Sequence, residues 1–217
     1  MKRIICIVAF SLALVSLCSC SKDDSPRKAV DLGLSVKWAS CNLGAKSPED
    51  RGVYYAWGET QTKENFVYQN YKWNTGETPN RLTKYNNNSQ LGDVDNIMSL
   101  QKQDDVARVK MGSKWRMPVE MEFYELLEKC DWIPEEVNGI AGYRVKSRIN
   151  NNSIFIPAYG YKDGTEIPNP SDCAYWSSTV DSSFPAYAKA LYCYEYGKGV
   201  SSHLARCFGL LVRPVRD

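Results

Sequence analysis

The chain has 217 residues, with 27 basic against 25 acidic side chains and an apolar fraction of 43% that includes 14 tyrosines and 6 tryptophans. That composition describes a folded, aromatic-rich domain and excludes a disordered stalk. A net charge of +2 gives no basic excess for a nucleic-acid surface or for electrostatic attachment to a membrane, so no nucleic-acid partner is expected.

Met1-Lys2-Arg3 supplies a positive start, and Ile4 to Leu17 is apolar apart from two serines. A charged start followed by a short apolar run reads as an export signal, too short and wrongly flanked for a spanning helix. The run ends in Leu17-Cys18-Ser19-Cys20, which resembles the bacterial lipobox: an aliphatic residue three before a cysteine and a small one directly before it. Residues 1–19 are therefore expected to be removed and Cys20 to be lipidated. Two or three acyl chains at about 0.8 kcal/mol per buried CH₂ anchor firmly where one does not. Ser21-Lys22-Asp23-Asp24-Ser25-Pro26 suits a tether over 20–28, and its acidic residues look like the surface-export signal of Bacteroidetes lipoproteins. The expected location is the outer membrane, lipid-anchored and facing the cell surface, with the membrane reached through the anchor alone.

Removing the first 19 of 217 residues leaves 198, enough for one domain over 29–217 and hardly enough for two. The loss of Lys2 and Arg3 brings the 27 basic residues to 25, level with the 25 acidic ones. Cys41, Cys130, Cys173, Cys193 and Cys207 remain, an odd set that allows at most two disulfides whose pairing is open. No CxxC or Cys/His cluster occurs, so a structural zinc is not expected and no metal-ligating residues are assigned, while calcium binding stays open.

In chain order, Val30 to Cys41 alternates apolar and polar at period two and reads as a strand or hairpin. Tyr54-Tyr55-Ala56-Trp57-Gly58 reads as another short strand. Glu59 to Asp105, rich in Asn, Gln, Thr, Gly and Asp with Asn86-Asn87-Asn88-Ser89 at its centre, reads as a long irregular excursion with a short helix near 104–109. The main helix follows Trp115-Arg116-Met117-Pro118. Pro118 suits a first turn, Glu120 and Glu122 the positive end of the dipole, and Lys129 the negative end. Met121, Tyr124 and Leu127, with Phe123 and Cys130 beside them, make an apolar stripe expected to face the core. Glu120, Glu122 and Glu125 are expected on the solvent face.

Short strands follow at Tyr143–Ser147, Ser153–Pro157, Ala174–Ser178, Ala186–Glu195 and Leu210–Val215. The turns between them are read at Asn150-Asn151-Asn152, Lys162-Asp163-Gly164 and Gly197-Lys198-Gly199. One clear helix amid short strands gives an α+β class with mixed or antiparallel sheets.

Several of these segments together resemble the Fibrobacter succinogenes major paralogous domain of Bacteroidetes lipoproteins. They are Val30 to Ala39, Tyr54 to Thr60, Trp115-Arg116-Met117-Pro118, Tyr175-Trp176-Ser177-Ser178 and Val212-Arg213-Pro214-Val215-Arg216. That family is similar to the formylglycine-generating-enzyme branch of the C-type lectin fold. The resemblance implies a C-type-lectin-like α+β domain with paired termini and a loop-rich ligand face, and it does not by itself supply a function.

Formylglycine-generating enzymes use a cysteine pair to hold copper, and Cys193 and Cys207 are the residues that would stand there. They lie fourteen apart, and a hairpin about Gly197–Gly199 would set Cys193 opposite residue 203. A pair such as that in Ser201-Ser202-His203 needs an orienting carboxylate and an exposed nucleophile in defined geometry, and no Gly-x-Ser-x-Gly elbow is present. No catalytic residues and no cofactor are expected. The calcium-dependent lectin signatures Glu-Pro-Asn and Trp-Asn-Asp are missing, and Ile167-Pro168-Asn169 lacks their carboxylate.

The C-terminal third points instead to binding. Tyr192, Tyr194 and Tyr196 alternate, which puts three rings on one face of a straight strand, and Trp176 lies nearby in sequence. Rigid aromatic area suits a glycan or protein ligand. The expected contact set is Trp176, Tyr192, Tyr194, Tyr196, His203 and Arg206, in a non-catalytic binding or adhesion module. The alternatives are a divergent formylglycine-generating-type enzyme and a structural subunit of a fimbrial or other surface assembly.

Overall fold

The computed structural model describes residues 28–217, so the expected export signal, Cys20 and the expected tether up to residue 27 lie outside the described residues. The described chain is α+β, with two helices and three small antiparallel sheets. Strands β1 (Ala29–Val30) and β2 (Lys37–Ala39) form the hairpin expected of the alternating segment, and β2 also pairs with β9 (Val215–Arg216). The two ends of the domain therefore share one sheet, with Trp38 opposite both Val30 and Val215.

The excursion after Gly58 is irregular apart from two single 3₁₀ turns, and it leads into α1 (Val106–Met111). Its asparagines build the loop from within. The Asp95 carboxylate accepts the backbone N–H groups of Tyr85, Asn86 and Ile97, and the fully buried Asn86 amide donates to the carbonyls of Asn88 and Asp93. Such satisfied backbone groups allow an irregular segment to be buried. Tyr54–Gly58 is not a strand. Its one β-bridge joins Tyr55 to Leu210, and the fully buried Trp57 is held separately, its backbone N–H donating to the Arg206 carbonyl and its indole N–H to the Ser177 carbonyl.

Helix α2 (Glu120–Lys129) follows the Trp-Arg-Met-Pro segment as expected, but Val119 is its N-cap, so Pro118 lies just before the helix and not in its first turn, and the buried face also differs from the expected one. Phe123 and Leu126 are fully buried, whereas Met121 is 68% exposed and Tyr124 is also exposed. Glu122 is buried as well, and it sets the phase of the helix. Its carboxylate accepts the Val119 N–H at 2.8 Å and takes both terminal nitrogens of Arg116, at 2.6 and 2.9 Å. A bidentate pair that also satisfies a helix-start N–H turns that face inward despite its charge.

Strands β3 (Cys130–Val137), β4 (Ile140–Ser147) and β5 (Ser153–Pro157) form a meander. Strand β3 is not foreshadowed by any alternation of apolar residues, and it carries Pro134 and three acidic residues. Those residues are tolerated because β3 is an edge strand. The third sheet holds β6 (Cys173–Val180), β7 (Tyr187–Tyr194) and β8 (Gly197–Ala205). Two hydrophobic clusters lie on either side of it. Along β6, Cys173 and Tyr175 enter one cluster while Ala174 and Trp176 enter the other. The following segment behaves alike, with Leu211 in the first cluster and Leu210 and Val212 in the second. Period-two alternation thus feeds two cores from the same strands. The expected strand over Leu210–Val215 is instead an extended buried run that meets Tyr55, Ala174 and Arg116 by separate backbone bonds.

Candidate functional site

The β7–β8 hairpin turns at Glu195-Tyr196, because Tyr194 pairs with Gly197. Gly197-Lys198-Gly199 is the start of β8 and not the turn expected from its glycines. Cys193 consequently faces Lys198, not residue 203, and Cys207 lies beyond the end of β8. Cys207 sits in the first core cluster, where burial pushes its thiol up to about 12. Among the described residues no group of three or more His, Cys, Asp or Glu side chains could hold a metal.

Strand alternation places Tyr192 and Tyr194 on one face, with ring centroids 6.0 Å apart. Tyr192 is half-buried, Tyr194 is 45% exposed and Tyr196, at the turn, is 83% exposed. The Tyr192 ring leans on Tyr161, which stacks on Phe208, so the platform is fixed from beneath. The Tyr192 hydroxyl donates to the Asp172 carboxylate, and burial together with that carboxylate raises the phenol's pKa.

Two open clefts flank this pair of rings. One, of about 350 Å³, is lined by Asn169, Asp172, Glu195 and the three tyrosines. The other, of about 290 Å³, runs from Tyr192 and Tyr194 over Gly197 to Ser201. Glycine keeps the second cleft open, since a Cβ on Gly199 would meet nothing within 4 Å. Aromatic faces, carboxylates and an amide around a shallow cleft offer stacking area together with acceptors for hydroxyl or N–H donors. Asn169, Asp172 and Glu195 were not foreseen as site residues. Asn169 and Asp172 lie some twenty residues before the tyrosines and join them only through strand pairing, while Glu195 was hidden by the misplaced turn.

Three of the six expected contact residues lie elsewhere. Trp176 is fully buried in the second cluster, where its indole N–H donates to the Tyr55 carbonyl at 2.9 Å. Arg206 is fully buried too. Its guanidinium donates to the Tyr71 hydroxyl and to the carbonyls of Lys84, Tyr85 and Pro185, with the Trp57 ring 4.8 Å away. It ties the long excursion to the third sheet and has no free edge for a ligand. His203 is exposed but leans toward Tyr187, its ring 6.5 Å away. It stands four residues along β8 from Gly199, the partner of Tyr192, or roughly 13 Å at the strand's rise per residue.

Comparison with protein-family models, with curated proteins and with solved structures finds no match to the chain.

Proposed function

We propose that the chain is a lipid-anchored outer-membrane protein displayed on the cell surface, and that its domain is a non-catalytic module that binds a glycan or protein ligand at the β7–β8 hairpin. The observation that carries this reading is the pair of clefts shared by Tyr192 and Tyr194, extended by Tyr196 and edged by Asn169, Asp172 and Glu195. Proteins seldom leave adjoining tyrosines solvated at a concave surface without a ligand to cover them. His203, Trp176 and Arg206 have no part in this site.

The finer fold reading, a C-type-lectin-like domain of the formylglycine-generating branch, is supported by three features. The terminal strands pair through β2. The Trp115–Pro118 segment opens the main helix and is clasped by Glu122. The last stretch of chain drives the fully buried Arg213 between the carbonyls of Ala39 and Phe155.

The test is a glycan and host-protein array probed with the purified domain, with and without chelator. Any ligand found is then measured against Tyr194→Ala, Tyr196→Ala and Gly199→Leu. Each variant is expected to weaken binding by about 1–3 kcal/mol with the melting temperature held. Affinity unchanged in all three would place the site elsewhere. The anchor is tested by mass spectrometry of the mature N-terminus, where acylated Cys20 is expected and an unmodified or differently cut terminus would refute it.

A further inference from the structure

Cys173 is the first residue of β6 and Cys193 the last but one of β7, and the two are direct partners in the antiparallel register. Both are free thiols, 0% and 1% exposed. The neighbouring Cys193 thiol, together with burial, raises the Cys173 thiol well above its usual range, and the Cys173 Sγ donates to the Ile156 carbonyl at 3.9 Å. The other cysteines among the described residues are placed differently: Cys130 faces Ser147, and Cys41 and Cys207 lie outside the strands.

We infer that Cys173 and Cys193 close into a cross-strand disulfide when the chain folds in an oxidising medium. Opposed residues of an antiparallel pair hold their Cβ atoms roughly 4.5–5.5 Å apart, and a disulfide asks for about 3.5–4.5 Å. The strands must therefore approach by about 1 Å. The site permits this, because Cys173 sits at a strand end and the preceding residues 168–171 are exposed. Closure proceeds by exchange with a disulfide-bearing oxidant such as glutathione disulfide. One cysteine thiolate attacks the oxidant and releases one thiol, and the second cysteine thiolate then displaces the remaining half from the mixed disulfide. The protein loses two protons and two electrons, and the oxidant's disulfide becomes two thiols. The step belongs to folding, since in the finished core both thiols are shielded and Cys173 is held protonated.

The bond would clamp both walls of the tyrosine cleft. Asp172 directly precedes Cys173, and Tyr192 and Tyr194 flank Cys193. This assignment stands independently of what the cleft binds.

Trypsin distinguishes the outcomes, because Lys189 separates the two cysteines into peptides 163–189 and 190–198. The full chain is refolded from denaturant in a reduced and oxidised glutathione buffer, alkylated in denaturant, digested and mapped. The expected product links 163–189 to 190–198, with the other six of the eight cysteines, Cys41, Cys130 and Cys207 among them, alkylated. Alkylation of both Cys173 and Cys193, or a link from either to another cysteine, would overturn the assignment. Reduction should lower the melting temperature by about 5–10 °C. Cys207→Ala, which keeps the pair, should show the same linked peptide and the same shift, and an unmoved melting temperature in both proteins would equally overturn it.

Discussion

Arg206 shows how much a single buried side chain can hold in this molecule. Four hydrogen bonds converge on its guanidinium from three distant parts of the chain, and three aromatic rings enclose it. Replacing it with alanine strands the carbonyls of Lys84, Tyr85 and Pro185 and removes the bond that the Tyr71 hydroxyl accepts, leaving that hydroxyl only its own donation to the Trp57 carbonyl. Each buried group left without a partner costs about 1–3 kcal/mol, so Arg206→Ala is expected to remove more than about 3 kcal/mol in urea unfolding. A loss under 1 kcal/mol would show that the excursion holds without it. Trp115 is comparable: it is 5% exposed, with the Arg216 guanidinium 5.7 Å from its ring centroid. Trp115→Ala is expected to cost about 3–5 kcal/mol, read as a lower urea midpoint.

Asp104 carries a pH dependence. Burial opposes its ionisation, but Lys84, the Tyr85 hydroxyl and Lys72 donate to its carboxylate and hold its pKa below the usual 3.8. A carboxylate whose pKa is lower folded than unfolded contributes stability that is present above the unfolded value and lost as pH falls through the folded one. Stability should therefore decline below about pH 4, and Asp104→Asn should flatten that decline while lowering stability at pH 7. An acid limb of the same steepness in both proteins would assign it to other carboxylates.

At the scale of elements, α2 and the segment before it form one unit. Asp105 caps α1 through the Arg108 N–H and also accepts the Met117 N–H, so the start of α1 is fastened to the Trp-Arg-Met-Pro segment. Arg116 then passes the constraint to α2 through Glu122. Periodicity located α2 correctly, but the pairing of Arg116 with Glu122 chose its inward face, which no pattern of apolar residues can show. The hairpin was misplaced for a related reason. Gly197 and Gly199 are conventional turn signals, whereas the actual turn, Glu195-Tyr196, carries none. The glycines instead leave open the space beside the tyrosines.

For the whole molecule, the two hydrophobic clusters share strands, because alternate residues of β6 and of 210–212 belong to each. Neither cluster can come apart while the other stays intact. Tryptophan fluorescence and far-ultraviolet dichroism are expected to report one coincident thermal transition, and two separated midpoints would show that the clusters melt independently.

What the sequence determined by itself was set by local chemistry. It yields the α+β class, the hairpin at the start, α1 and α2, β5 to the residue, and the alternation that sets Tyr192 beside Tyr194. These depend on period, caps and turn residues within a few positions of one another. What the tertiary structure decided depends on partners far along the chain. Trp176 and Arg206 look like contact residues in sequence and prove to be core: Trp176 because a strand covered on both faces buries its alternate residues equally, and Arg206, just past the end of β8, because the excursion closes over it and takes up its hydrogen bonds. Asn169 and Asp172 join the tyrosines, and Cys173 meets Cys193, only through the pairing of β6 with β7. That pairing is fixed by the packing of two cores around the sheet, and no local pattern specifies it.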